Sequence, residues 1–159
     1  MQRYIVTSRL TKAPKKIQDI NGFQVAEGSA DKITQAEGAA KVAHVLIGLS
    51  STEKFLVIGL DISGACVGTW EASSGELSSC SISPRNVFGP ALRLGTIHCV
   101  ICAHNHPSGS LEPSWHDIEA TRRLIESGKL LGIHVVDHVI VEPGGKHVSL
   151  REIGGTLIW

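Results

Sequence analysis

The sequence predicts an α/β or α+β domain built on a mixed β-sheet. Three observations carry that prediction. Short apolar runs of strand length, FLVIGLD at Phe55 to Asp61 and IHCVICA at Ile97 to Ala103, alternate with segments of helical period. Hydrophobic residues make up 42% and charged residues 19% of the chain, an ordinary globular balance. The length, 159 residues, suits one domain that buries a core without a covalent staple. Aromatic residues are only 4%, so that core is expected to rest on Val, Ile, Leu and Ala.

Residues 1–32 show no clear period and are expected to form an irregular arm, with Tyr4 to Val6 a short candidate strand and Asn21-Gly22 a turn. The domain proper is taken as residues 33–159. Ile33 to Leu49 reads as a helix, because Ala39, Val42, Ala43, Leu46 and Leu49 fall on one face. Phe55 to Asp61 is a buried strand. A turn at Ser63-Gly64 leads to a second strand, Ala65 to Trp70; Glu71 to Gly75 reads as a turn, and Leu77 to Ile82 as a third strand. Pro84 opens a helix, where its missing N–H costs no bond, and Gly95 stops it. The strand Ile97 to Ala103 runs into an irregular HNHPSG loop. Ser114 then begins a long helix ending near Gly132. Ile133 to Val141 is a strand, Pro143-Gly144-Gly145 a turn, and His147 to Leu150 a short strand.

Charge narrows the function. Fifteen Lys plus Arg balance fifteen Asp plus Glu, so the excess positive charge that drives nonspecific nucleic-acid binding is missing. Local basic clusters remain open to the chain, and the best of them, Arg9, Lys12, Lys15 and Lys16, reads as a solvated tail. No signal peptide and no membrane-spanning run is seen, and the cysteines Cys66, Cys80, Cys99 and Cys102 are expected as free thiols in a reducing cytoplasm. Eight histidines, concentrated in the C-terminal half, hint at metal or acid–base chemistry.

The informative stretch is HNHPSGSLEPSWHD, His104 to Asp117. Residues two apart on an extended chain point the same way, so His104 and His106 can converge at the end of their strand. A helix start packed against that strand end brings Asp117 to the same point. Two imidazoles and a carboxylate are a common set of ligands for one catalytic zinc ion, with a fourth position left open. Glu53, just before a strand, is the candidate general base. Ser114 is suited to donate to a developing oxyanion. Each part also has a plain structural reading. Ser114-x-x-Asp117 is a helix-capping pattern, His104 can be a satisfied strand-end histidine, and Pro107-Ser108-Gly109 alone is a turn. Capping and ligation are compatible, since Ser114 can cap while Asp117 faces a metal.

The full pattern, Glu53 followed by His104-x-His106, Ser114 and Asp117, resembles the JAB/MPN (JAMM motif) metalloprotease-like superfamily. It is more closely similar to that superfamily's RadC-like branch. The further matching segments are Glu53-Lys54-Phe55, Leu60-Asp61, Ser83 to Phe88, HNHPSG, Pro113-Ser114, Thr121, Leu131-Gly132-Ile133, Asp137 to Ile140 and Ser149 to Glu152. The resemblance covers roughly Ile33 to the C-terminus. It implies a three-layer, cytidine-deaminase-like fold, one zinc ion, and a hydrolase acting on peptide or isopeptide-linked protein substrates. It also carries a DNA-repair label. Longer members have an N-terminal helix-hairpin-helix region that is not expected here, so nucleic acid enters only as an indirect partner. A catalytically silent JAB-like binding module is the alternative.

Other residues attract plainer readings. Cys99-x-x-Cys102 lies in a buried strand where positions three apart face opposite sides, which favours inert thiols over a zinc knuckle. His138 is read as a simply buried histidine in preference to one supporting a ligand, and His116 as surface. Arg85 is left between a substrate contact and a helix pin.

Overall fold

A computed structural model of the chain describes residues 17–20, 23–27, 32–75, 82–155 and 158–159. Its frame is a seven-stranded mixed sheet in the order β1-β2-β4-β3-β5-β6-β7. The strands are β1 (Ile17–Ile20), β2 (Phe23–Glu27), β3 (Lys54–Leu60), β4 (Cys66–Ser74), β5 (Cys99–Asn105), β6 (His134–Val141) and β7 (His147–Ser149). All neighbours are antiparallel except β5 and β6, which run parallel. The helices are α1 (Ala36–Ala43), α2 (Pro84–Leu94), α3 (Trp115–Leu131) and α4 (Leu150–Gly154).

The apolar runs that mark the central strands are apolar on both faces because helices cover both. On one side Phe55, Val57, Trp70, Val100 and Cys102 pack against Val87, Phe88 and Ala91 of α2 and Ala120, Leu124 and Ile125 of α3. On the other, Leu56, Ile58, Ile101, Ala103 and Val139 meet Ala39, Val42 and Ala43 of α1. The result is the expected three-layer α+β arrangement. The scarce aromatics Trp70, Phe55 and Phe88 are fully buried on the α2–α3 side, each stabilising by roughly 1.5–3 kcal/mol.

Local chemistry sets the helix ends. Ser83 Oγ accepts from the Arg85 N–H at the start of α2, and Gly95 ends it in the left-handed region, at φ 69°. Ser114 caps α3 and Gly132, at φ 71°, closes it.

Several expectations are corrected. The arm of residues 1–32 is not wholly irregular, because β1 and β2 pair, and β2 joins β4 through Ala26 opposite Thr69. These strands gain their order from that distant partner, which a local period cannot reveal. The helix expected at Ile33 to Leu49 begins at Ala36, and its last part, His44–Gly48, is a π-helical turn. Glu71 to Ser74 are strand and not turn, since β3 offers pairing as far as Lys54 opposite Ser74. Leu150 starts α4 and does not end β7, capped by Ser149 Oγ accepting from the Glu152 N–H. The candidate strand Tyr4 to Val6, the turn at Asn21-Gly22, the basic cluster Arg9 to Lys16, Cys80 and most of Leu77 to Ile82 lie outside the described residues. Among the described residues, no helix is long and apolar enough to cross a membrane.

Candidate metal centre

The site forms where the C-terminal end of β5 meets the first turn of α3. His104 is the penultimate residue of β5 and is 1% exposed; its ring stacks parallel to Phe55 on the neighbouring strand, at 6.3 Å and 10°. His106 follows the strand and is held by its own N–H donating to Val141 O at 2.9 Å. The alternation places the two rings on one side, and their Nε2 atoms approach to 2.9 Å. Asn105 points to the opposite side and ties down the segment before β3. Its Oδ1 accepts from the Lys54 N–H at 2.7 Å, and its amide donates to Thr52 O at 3.1 Å.

The loop after His106 turns at Pro107-Ser108, with Gly109 at φ 85°. It brings Ser110 O to 2.9 Å from His106 Nδ1. A carbonyl only accepts, so His106 carries its hydrogen on Nδ1, and neutral His106 directs the lone pair of Nε2 toward His104.

Asp117 comes from the third position of α3. The capping pattern is formed in full: Ser114 Oγ accepts from the Asp117 N–H at 3.1 Å, and Asp117 Oδ2 accepts from the Ser114 N–H at 2.7 Å. That leaves Oδ1 3.2 Å from His104 Nε2, with Oδ2 3.7 Å from His106 Nε2. Capping and convergence therefore occur together. Burial works to raise the Asp117 carboxyl, but the contacts of His104, His106 and Ser114 outweigh it and hold it below the usual carboxylate range. The bond to Asp117 pushes the His106 imidazole up against its burial, with Ser110 O and the Glu53 charge assisting.

The ligand atoms of His104, His106 and Asp117 all lie within 4.8 Å of one another, and together they can hold a metal ion. The donor set fits one. Three acceptors converging in a largely buried space require a positive charge among them, either a proton or a bound cation.

Glu53 sits on the loop before β3, one residue from Lys54, whose N–H is bound by Asn105. It lines an open cavity of ≈ 340 Å³ with Ser51, Thr52, Gly75, Pro107 and Ser108. A larger cavity of ≈ 1060 Å³ lies at the opposite end of β5, beside Cys99 and Leu60; none of the three converging residues lines either cavity, and Pro107, next to His106, is the link between the smaller one and the cluster.

His138 behaves differently from the plain buried histidine expected. Its Nε2 lies 2.7 Å from His104 Nδ1, and its Nδ1 lies 2.6 Å from Thr121 Oγ1. Burial, with His104 nearby, pushes this imidazole well below its ordinary value, so it is neutral. Asn105 and Thr121 were not expected to have structural roles here. Asn105 carried a signal only as the residue between two histidines. His116 is exposed, and Cys102 is a fully buried thiol pushed up by burial. Arg85 is exposed, with its backbone N–H donated to Ser83 Oγ.

A family model described as the RadC-like JAB domain matches residues 33–155. A UPF0758 protein of Salinibacter ruber is 42% identical over 123 residues, which cover 77% of this chain and 52% of that protein. A UPF0758 protein of Nostoc is 43% identical over 107 residues, 67% of this chain and 42% of its own. One from Methanospirillum hungatei is 39% identical over 130 residues, 81% and 57% of the two chains. The chain spans about half the length of the curated relatives it matches.

Proposed function

The chain belongs to the RadC-like JAB domain family, and from that membership and the geometry of the site we propose that it is a zinc-dependent hydrolase of the metallopeptidase or isopeptidase type. The observation that carries this reading is the convergence of His104 Nε2, His106 Nε2 and an Asp117 carboxylate oxygen within 4.8 Å of one another, with Glu53 near enough for its charge to act on the His106 imidazole. Two imidazoles and one carboxylate favour zinc over calcium or magnesium, which prefer oxygen ligands. A zinc ion held there supplies Lewis-acid chemistry, making water acidic near neutral pH and drawing electron density from a carbonyl oxygen.

The chain's own residues do the rest. His104, His106 and Asp117 bind the ion. Glu53 accepts the proton of the attacking water on a carboxylate oxygen. The water oxygen bonds to the carbonyl carbon, the carbon–nitrogen bond breaks, and Glu53 returns the proton to the leaving nitrogen. Ser114 Oγ accepts at the helix cap, a bond that does not use its hydroxyl proton, which is donated to the developing oxyanion. The cavity beside Glu53 is where an extended peptide segment would lie. The balanced charge of the chain favours a protein substrate over a nucleic-acid one.

The test is metal content of the purified protein, followed by cleavage of a panel of peptide- and isopeptide-linked conjugates. The expected result is about one zinc per chain, with cleavage abolished in Glu53→Gln while zinc is retained. A chain that takes up no metal would overturn the reading. Zinc without cleavage of any conjugate would leave a metal-stabilised binding module.

A further inference from the structure

We propose that Thr121 and His138 are positioning residues that fix the tautomer of His104, so that its Nε2 is the bare nitrogen offered to the metal. The inference rests on the reading of His104 as a ligand, and it concerns how the fold prepares that ligand before any ion arrives.

Single hydrogens are fixed one after another along a buried chain of contacts. Thr121 Oγ1 lies 2.6 Å from Asp117 O, one helical turn earlier. Two oxygens at that distance need a hydrogen between them. A backbone carbonyl has none, so the Thr121 hydroxyl donates there. Thr121 has only one hydrogen, so toward His138 its oxygen must accept. The 2.6 Å contact with His138 Nδ1 is therefore a bond donated by His138 Nδ1–H. His138 is 0% exposed and its ring nitrogens meet a hydroxyl and another imidazole, not a carboxylate, so a second, charging hydrogen has no compensating partner and the lone pair stays on Nε2. That atom lies 2.7 Å from His104 Nδ1, so His104 must donate from Nδ1. The remaining nitrogen of His104, Nε2, is left without hydrogen, facing His106 Nε2 and Asp117 Oδ1.

The chain of contacts closes on itself. It starts at the backbone carbonyl of Asp117 and ends at the ring of His104, two residues that converge on the same point. Every member is buried: Thr121 is 1% exposed and His138 0%. Water therefore does not compete for these bonds, and the orientation of one hydroxyl on α3 is transmitted through β6 to β5. His106 needs no such chain, because Ser110 O sets its tautomer directly.

The experiment uses the whole 159-residue chain with isotopically labelled histidine. Nitrogen NMR reads which ring nitrogen of each histidine carries hydrogen in the metal-free state at neutral pH, and zinc affinity is measured on the same samples. In the parent, His104 and His138 are expected as Nδ1–H tautomers. Thr121→Val keeps the side-chain shape and removes the hydroxyl oxygen that accepts from His138. It is expected to leave His104 as a mixture of tautomers and to weaken zinc binding roughly 10- to 100-fold. His138→Leu should do the same. His138→Gln, whose side-chain carbonyl can accept from His104 Nδ1–H, should restore the tautomer and most of the affinity. A parent His104 that carries no hydrogen on Nδ1, or Thr121→Val with unchanged tautomer and affinity, would overturn the proposal. A parent with the expected tautomer that binds no zinc would instead overturn the metal reading and leave the relay standing. The parent spectrum alone decides the tautomer if a variant does not fold.

Discussion

Asn105 Oδ1 accepts the backbone N–H of Lys54 at 2.7 Å and so fastens the loop that carries Glu53 to the strand end that carries His104 and His106. The two histidines and Asn105 divide the labour of alternation. The rings face α3, while the amide faces the Ser50 to Lys54 segment and donates to Ser50 O and Thr52 O. The loop of Glu53, the proposed base, and the strand end of His104 and His106, the proposed ligands, are thereby held as one unit.

Asn105→Ala is the first prediction that follows. It strips partners from the Lys54 N–H and from two carbonyls at a position 0% exposed. A loss of about 1–3 kcal/mol is expected from the unpaired groups. Because the His104 and His106 side chains point the other way, zinc content should hold while turnover falls through misplacement of Glu53. Denaturant unfolding and metal analysis of the same sample check this. Loss of metal along with stability would show that Asn105 supports the histidines and not the loop.

Ser114 is given two duties, and they separate by substitution. Ser114→Ala removes the cap on α3 and should cost about 0.5–2 kcal/mol. Ser114→Asp restores an acceptor for the Asp117 N–H but offers no hydroxyl donor. Stability should largely return in that variant, while turnover stays down by roughly 10²–10³-fold, the usual consequence of losing one oxyanion donor. Recovery of turnover with the Asp cap would mean that the hydroxyl serves the helix alone.

The pH dependence of metal stabilisation has a definite sign. The Asp117 bond raises the folded His106 imidazole above its unfolded value near 6.5. Its contribution to the metal-free fold is therefore fully present below about pH 6.5 and is lost as pH rises through the folded value. Asp117 is shifted downward, so its contribution is present above its unfolded value near 3.9 and is lost only as pH falls through the folded value. Between those limits the metal competes with the proton on His106. The zinc-induced rise in Tm should accordingly be larger at about pH 8 than at about pH 6. Equal rises would show that His106 is not a ligand.

How far the sequence carries depends on whether the deciding contact is local. The convergence of His104, His106 and Asp117 is local at each end, an alternation in a strand and a cap on a helix, and both are legible. The role of His138 is not. Strict alternation from Val135, which faces α2 and α3, puts His138 on the other side of the sheet. The β5–β6 register shifts after Val100, so that Ile101 lies opposite Asp137 and Cys102 opposite His138. One extra residue therefore returns His138 to the side of Cys102 and His104. Nothing in the run HVVDHVIV announces such a bulge. Strand β2, likewise, is ordered by pairing with β4, some forty residues further along, and β1 by adding to β2.

Gly128 offers a prediction in which two effects oppose each other. It lies within α3, and helix propensity alone favours Ala over Gly there by about 1 kcal/mol. The backbone says otherwise. A Cβ at this position would press into the carbonyl oxygen of Ile133, just past the end of the helix, and would meet Phe88 Cζ at 3.2 Å. The carbonyl belongs to the turn into β6, and Ile133 donates its own N–H to Gly128 O at 3.0 Å, so neither partner can withdraw without breaking that bond. Phe88 is held in the core between α2 and α3. Steric strain should therefore win, and Gly128→Ala is expected to destabilise by about 1–3 kcal/mol. The clash lies more than two turns from Asp117 along the helix, so zinc stoichiometry should not change. Thermal unfolding with and without zinc separates the two: a lower Tm with an intact zinc-induced rise supports the close packing of α3 on β6, and a raised Tm would show that the helix can shift away from the strand.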